Sequence, residues 1–197
     1  MRKKTMQPFH GLTRAVLDIT GRGKLSILIY HRVLADADVL FPDLPHARSF
    51  DERMSWVAAT LDVIPLSEAY EMLREGRLPP RATSITFDDG YADNHEIALP
   101  ILRRHRLSAT FFIATGFLDG GRMWNDTIIE AIRRAPGTTL DLELLGLGKH
   151  AIGESTSRRA TIDGIIDRLK YLPPTTRQMQ VDALAHAIGN DLPRNLM

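Results

Sequence analysis

The sequence predicts an α/β fold of parallel β/α units, on three observations. Short apolar runs, too brief for helices, recur at residues 26–31, 82–89 and 108–115. Stretches with apolar residues at helical spacing lie between them, at 49–62, 67–76 and 92–106. Parallel neighbouring strands need a crossover connection, and a helix is the usual one.

The elements follow in order. The opening "MRKKTMQPFHGLTRAVLDITGRGK" starts with a basic cluster, but Pro8, His10, Arg14, Asp18 and Lys24 interrupt any apolar core of signal-peptide length. Residues 1–24 are therefore read as a helical lead-in, with a packing helix near 8–19 favoured over an amphipathic surface one. "SILIYH" is a buried strand. In "SFDERMSWVAATLD", Ser49 is expected as the N-cap and Phe50, Met54, Val57, Ala58 and Leu61 share one face. "VIPL" at 63–66 is a strand candidate, and Ser67 is expected to cap a helix that stops at Gly76. Pro79 and Pro80 precede the strand "ATSITFDD", residues 92–106 read as a helix kinked by Pro100, and "SATFFIAT" is the next strand. Downstream, 124–135 is helical, 138–152 alternates like a hairpin, and two helices are expected over 156–171 and 174–188 with Pro173 and Pro174 between them. Residues 119–197 thus read as a helical insertion or cap following the first β/α units at 25–118.

Composition narrows the function classes. A chain of 197 residues, 44% hydrophobic, can bury a proper core. A formal charge of +1 offers no basic stripe for nucleic acid. With no cysteine, thiolate zinc sites and a cysteine nucleophile are excluded. No run approaches about 18 apolar residues, so no membrane span is expected, and a cytoplasmic chain is the reading.

The chemistry concentrates where an apolar strand ends in two adjacent carboxylates, Asp88 and Asp89. Successive side chains of a strand point to opposite faces, so both can face one site only if regular β geometry breaks down, and Gly90 lets the backbone leave it. Asp-Asp-Gly alone would read as a turn with an Asx cap. Here, however, it lies at the C-terminal end of a strand in a β/α pattern, the end at which parallel folds place their active sites. Two nearby carboxylates repel unless a cation binds or one takes up a proton. A metal ion with one as ligand and the other as base resolves both demands.

The stretch "ITFDDGYADNHEIALPILRRHRLSATFFIATGFLDGG" closely resembles the first motif and following β/α unit of the polysaccharide deacetylases, the NodB-homology or carbohydrate esterase family 4 domain. "ILIYHRV" at 27–33 is similar to the first strand of a bacterial branch of that family. The resemblance covers roughly residues 25–197 and implies a distorted (β/α)7 TIM-like barrel, incomplete here. It implies Asp88 as general base on a metal-bound water and Asp89 as ligand of a divalent metal, usually zinc. The implied reaction is hydrolysis of N-acetyl groups on an amino-sugar oligo- or polysaccharide, chitooligosaccharides among them. His31, ending the first strand, is a candidate substrate contact or supporting ligand, with a hydrogen-bonded histidine at a strand end as the alternative, and Tyr91, after Gly90, is a candidate substrate contact with a packing role as the alternative.

One departure stands against the match. The family pairs its aspartate with two histidines in a His-x-x-x-His type motif, whereas His10, His31, His46, His95, His105, His150 and His186 include no such pair. The chain is therefore expected to end before the second metal motif, with its zinc site incomplete and little activity alone. The alternative is an inactive remnant with residual carbohydrate binding. An unpaired sheet edge, and self-association through it, is a further expectation. A haloacid-dehalogenase-like phosphatase fits poorly, since it needs Asp-x-Asp and Gly90 stands where the second acid belongs.

Overall fold

The computed structural model describes residues 7–189 and 191–197. The basic cluster of the lead-in, at residues 1–6, lies outside that range. The chain divides into two compact units: residues up to Ala37 with Leu44–Thr115, and Asp38–Asp43 with Gly116–Met197.

The first unit is a parallel sheet with helices. It runs α1 (Gln7–Thr20), β1 (Ser26–Tyr30), α2 (Ala47–Thr60), β2 (Asp62–Val63), α3 (Leu66–Arg74), β3 (Ala82–Phe87), a π-helical segment Asn94–Ala98, α4 (Leu99–His105) and β4 (Thr110–Phe111). All six residues of β3 are buried, as a central parallel strand requires. On one side β3 pairs with β1 along its length, from Ser26 opposite Thr83 to Tyr30 opposite Phe87. On the other side β2 meets its start at Ala82 and Thr83, and β4 meets its end at Thr86 and Phe87. The four strands form an open sheet. Among the described residues β1 is paired along one edge only, and Ile27 and Ile29 on it are 46% and 61% exposed.

The core of this unit lies against the face bearing Tyr30, Ile85 and Phe87, where Phe50, Met54 and Val57 of α2 pack. Tyr30 and Phe50 meet edge to face at 5.2 Å, and Phe87 stacks on Phe111 at 4.9 Å. Aromatic pairs of this kind add about 0.5–1.5 kcal/mol each beyond the area they bury. They sit directly under the C-terminal end of β3, one residue before the carboxylates. α1 is tied in by an ion pair between Asp18 and Arg81, in the segment leading to β3.

Several local expectations shift. α2 begins two residues before Ser49, with His46 as its N-cap; Ser49 is at N3, and its Oγ accepts the His46 N–H at 3.0 Å. α3 is capped by Pro65 rather than Ser67, which lies inside the helix; Ala69 N–H already reaches the Pro65 carbonyl at 2.9 Å. The helix around Pro100 is relieved by a π turn instead of a kink. Proline cannot donate to the carbonyl four residues back and its ring crowds that position. Widening the pairing to five residues over Asn94–Ala98, with Leu99 N–H on the Asn94 carbonyl, places Pro100 in the first turn of α4. The run at 108–115 forms a strand only at Thr110–Phe111.

The second unit holds α5 (Trp124–Arg134), the antiparallel hairpin β5 (Thr139–Leu142) and β6 (Gly148–Ala151), α6 (Ser155–Leu169) and α7 (Pro174–Ile188). Ile128 and Ile132 of α5, Ile162 and Ile165 of α6, and Leu184 of α7 build its core. Asp126 at N3 of α5 accepts the Met123 N–H at 3.3 Å, and Arg177 lies over the Trp124 ring at 4.7 Å, so Trp124 enters a helix and packs. Arg158 gathers the carbonyls at the end of α5: Nη1 donates to Ile132 O, to Arg133 O at 3.1 Å and to Ala135 O at 3.0 Å. No helix among the described residues is long and apolar enough to cross a membrane.

Candidate active site

Asp88 follows β3 and extends its ladder by one residue, its N–H donating to Tyr30 O at 2.8 Å. The strand geometry then breaks at Asp89 itself, one residue earlier than Gly90 suggests. Asp89 has φ 75° and Gly90 has φ 80°, two consecutive left-handed residues. Aspartate tolerates that conformation better than most residues do, and glycine tolerates it without penalty. The turn is held from the far side by Ala114 N–H, which donates to Asp89 O at 3.0 Å. Both carboxylates are half-buried at the C-terminal end of the sheet's central strand.

The other two candidates differ from each other. His31 is exposed, one residue beyond β1, next to Tyr30, whose carbonyl receives Asp88 N–H. Tyr91 is 5% exposed, and the Arg32 guanidinium lies 4.6 Å over its ring. Its ring is therefore largely covered, with the guanidinium packed on it. A cavity of about 280 Å3 lies beside the turn, lined by Gly90, Tyr91, Asn94, Leu99, Phe111 and Ile113 among others.

Sequence reading passed over Arg32, Asp93 and Asn94. Asp93 is buried, and its carboxylate accepts Arg32 Nε at 2.8 Å and the Val33 N–H at 3.2 Å. Burial pushes its carboxyl above the usual carboxylate range, and Arg32 offsets only part of that. Asn94 is 3% exposed with neither side-chain polar atom hydrogen-bonded. The available signal was an acid and an amide directly after the Gly-Tyr turn, with no local partner for either.

The donor set bears on the metal. Among the described residues no three His, Cys, Asp or Glu side chains gather where one ion could be held. A catalytic zinc usually takes three protein ligands and keeps one position open. Two adjacent carboxylates, with no three-ligand group gathered among the described residues, do not fit a complete zinc site.

The stretch that contains the turn also resembles known proteins. Residues 75–139, which span β3, the carboxylate turn and β4, match the family model for polysaccharide deacetylase. This stretch is similar to part of a polysaccharide deacetylase domain. YxkH of Bacillus subtilis (strain 168), whose provisional name is polysaccharide deacetylase, is 33% identical over 92 residues. That alignment covers 46% of this chain and 32% of YxkH, so the chain spans about a third of the curated relative it matches. Among solved structures, a de-N-acetylase from Aggregatibacter actinomycetemcomitans aligns with a TM-score of 0.43 at 26% identity, covering 48% of this chain and 39% of that one. Streptococcus pyogenes deacetylase PplD, solved in complex with acetate, aligns at 0.41 and 26%, covering 47% and 43%.

Proposed function

We propose that this deacetylase segment supplies the general base and one metal ligand of a carbohydrate N-deacetylase with a NodB-type (β/α)7 barrel. The observation that carries the reading is the paired carboxylates on a left-handed turn at the end of the central parallel strand, inside the stretch that matches the family. The substrate class is an acetylated amino-sugar glycan, with chitooligosaccharides as one member.

In this reading Asp88 accepts a proton from the attacking water as its oxygen bonds to the acetamide carbonyl carbon. Collapse of the tetrahedral adduct breaks the C–N bond, the sugar nitrogen leaves as an amine after taking up a proton, and acetate departs. Asp89 is the carboxylate this turn would give to a divalent metal, zinc by the family's habit. The remaining ligands are not supplied by the turn, so the described residues by themselves support little turnover. An inactive remnant would share that donor set, and metal content separates the two readings.

The test uses a form of the protein that also carries the histidine pair, assayed for acetate release from N-acetylated chitooligosaccharide. Asp89→Ala should abolish metal binding. Asp88→Asn should keep the metal and lose turnover by roughly 10²–10⁴-fold, the usual contribution of a general base. Undiminished turnover in Asp88→Asn removes the base assignment.

A further inference from the structure

We propose that Arg32 and Asp93 are positioning residues whose ion pair, stacked on Tyr91, fixes the Asp88–Gly90 turn against the end of β1 and so sets the direction of both carboxylates. The proposal rests on the reading of Asp88 and Asp89 as the reacting pair.

Three observations carry it. First, the turn adopts a conformation it would not hold alone. A non-glycine residue in the left-handed region costs about 1–2 kcal/mol, less for Asp, and persists where surrounding contacts over-determine it. Second, opposite the Ala114–Asp89 hydrogen bond, the contacts on the other side of the turn come from the end of β1 and the segment leaving it. Asp88 N–H binds Tyr30 O at 2.8 Å, Arg32 Nε binds Asp93 Oδ2 at 2.8 Å, and Val33 N–H binds Asp93 Oδ1 at 3.2 Å. One carboxylate thus grips both the side chain and the backbone of the segment, while the guanidinium covers the ring of Tyr91, two residues beyond Asp89. Third, the pair is enclosed, with side-chain exposures of 22% for Arg32 and 9% for Asp93. An enclosed ion pair is a poor source of stability, because desolvation consumes most of the attraction. The elevated carboxyl of Asp93 has that origin. What such a pair can return is a single geometry, and here the geometry belongs to the residues that precede it by four and five positions.

Lysine cannot replace Arg32 fully, since it keeps the charge but loses the planar stack and the directed Nε–H. That makes Arg32→Lys a graded variant beside Arg32→Met and Asp93→Asn. The experiment is amide hydrogen exchange by NMR on the chain without substrate or metal, together with three-bond couplings that report χ1 of Asp88 and Asp89. The expected result is exchange at least tenfold faster at Asp88 and Ala114 in Arg32→Met and Asp93→Asn, with the amides of Ile85 and Thr86 unchanged. The Asp88 and Asp89 couplings should move from single-rotamer to averaged values, and Arg32→Lys should fall between wild type and Arg32→Met. If Arg32→Met does not fold, Arg32→Lys and Asp93→Asn carry the same comparison. The proposal is overturned if couplings and turn protection stay at wild-type values, or if the turn and β3 lose protection together, which is the mark of a merely structural pair. Neither readout involves acetate release, so the clamp can fail while the deacetylase reading stands, and the reverse.

Discussion

Replacing Gly90 by alanine tests how tightly the carboxylate turn is held. Gly90 has φ 80°, and a Cβ built on it would lie 3.1 Å from Ile113 Cγ2 and 3.3 Å from Ile113 Cα. The backbone term is about 1–2 kcal/mol for an L-residue in the left-handed region. The reduced freedom of the unfolded chain returns about 0.4–1 kcal/mol of that. The contact with Ile113 adds a crowding term of about 1–2 kcal/mol, because the Ile113 side chain is half exposed and can turn while its Cα cannot. Gly90→Ala should therefore cost about 2–3 kcal/mol. Gly76 is the internal control: φ is 66° and a Cβ there meets nothing within 4 Å, so Gly76→Ala should cost about 1 kcal/mol or less. The assay is urea unfolding in a Trp124→Phe background, where Trp56 of α2 reports on the first unit alone. Equal costs at the two glycines would refute the close approach of the segment at Ile113 to the turn.

Three other outcomes are expected. The hydrogen bond from His105, aided by Arg104, holds the Asp51 carboxyl below its usual range. A lowered carboxylate contributes stability that is present above the unfolded value, near ~3.9, and is lost as pH falls through the folded one. The unfolding free energy of Asp51→Asn from urea titration should thus lie below wild type at pH 6 by less than about 1 kcal/mol, given the pair's exposure, and the gap should close in acid; a gap that persists at pH 2 would rule out charge as its source. Arg158→Ala should cost the second unit about 2–3 kcal/mol in a thermal melt followed at Trp124, because three carbonyls at the end of α5 lose a charged donor; a loss below about 0.5 kcal/mol would show that water replaces it. The free edge of β1, with Ile27 and Ile29 exposed, should drive concentration-dependent association on gel filtration that Ile29→Lys reduces; a wild-type monomer at all concentrations would contradict this.

What could be read from residues was what local pattern determines. The buried run "SITF" located β3, the apolar spacing after Trp124 located α5, and the alternation from Thr138 located the hairpin. The position of Asp88 and Asp89 at a strand end followed from the same patterns. What escaped depended on partners distant in sequence. The strand expected at 108–115 shrinks to two residues because the paired register on β3 covers only Thr110 and Phe111; Phe112 N–H adds one bond to Phe87 O, the side chains of Phe112 and Ile113 are exposed, and Ala114 turns back to bind Asp89 O. Arg32 and Asp93 are separated by 61 positions, and no local pattern couples them. The π turn before Pro100 was hidden because a kink and a widened turn satisfy the same proline equally well in sequence.

If the turn holds a base and a single metal ligand, as proposed, zinc content is the direct measure of it. The purified chain and its Asp89→Ala variant would be dialysed and their zinc determined by elemental analysis. The donor set predicts near-zero zinc in both, since no three-ligand cluster lies among the described residues. One zinc per chain, lost in Asp89→Ala, would contradict the account and show that His31 or another group completes the site.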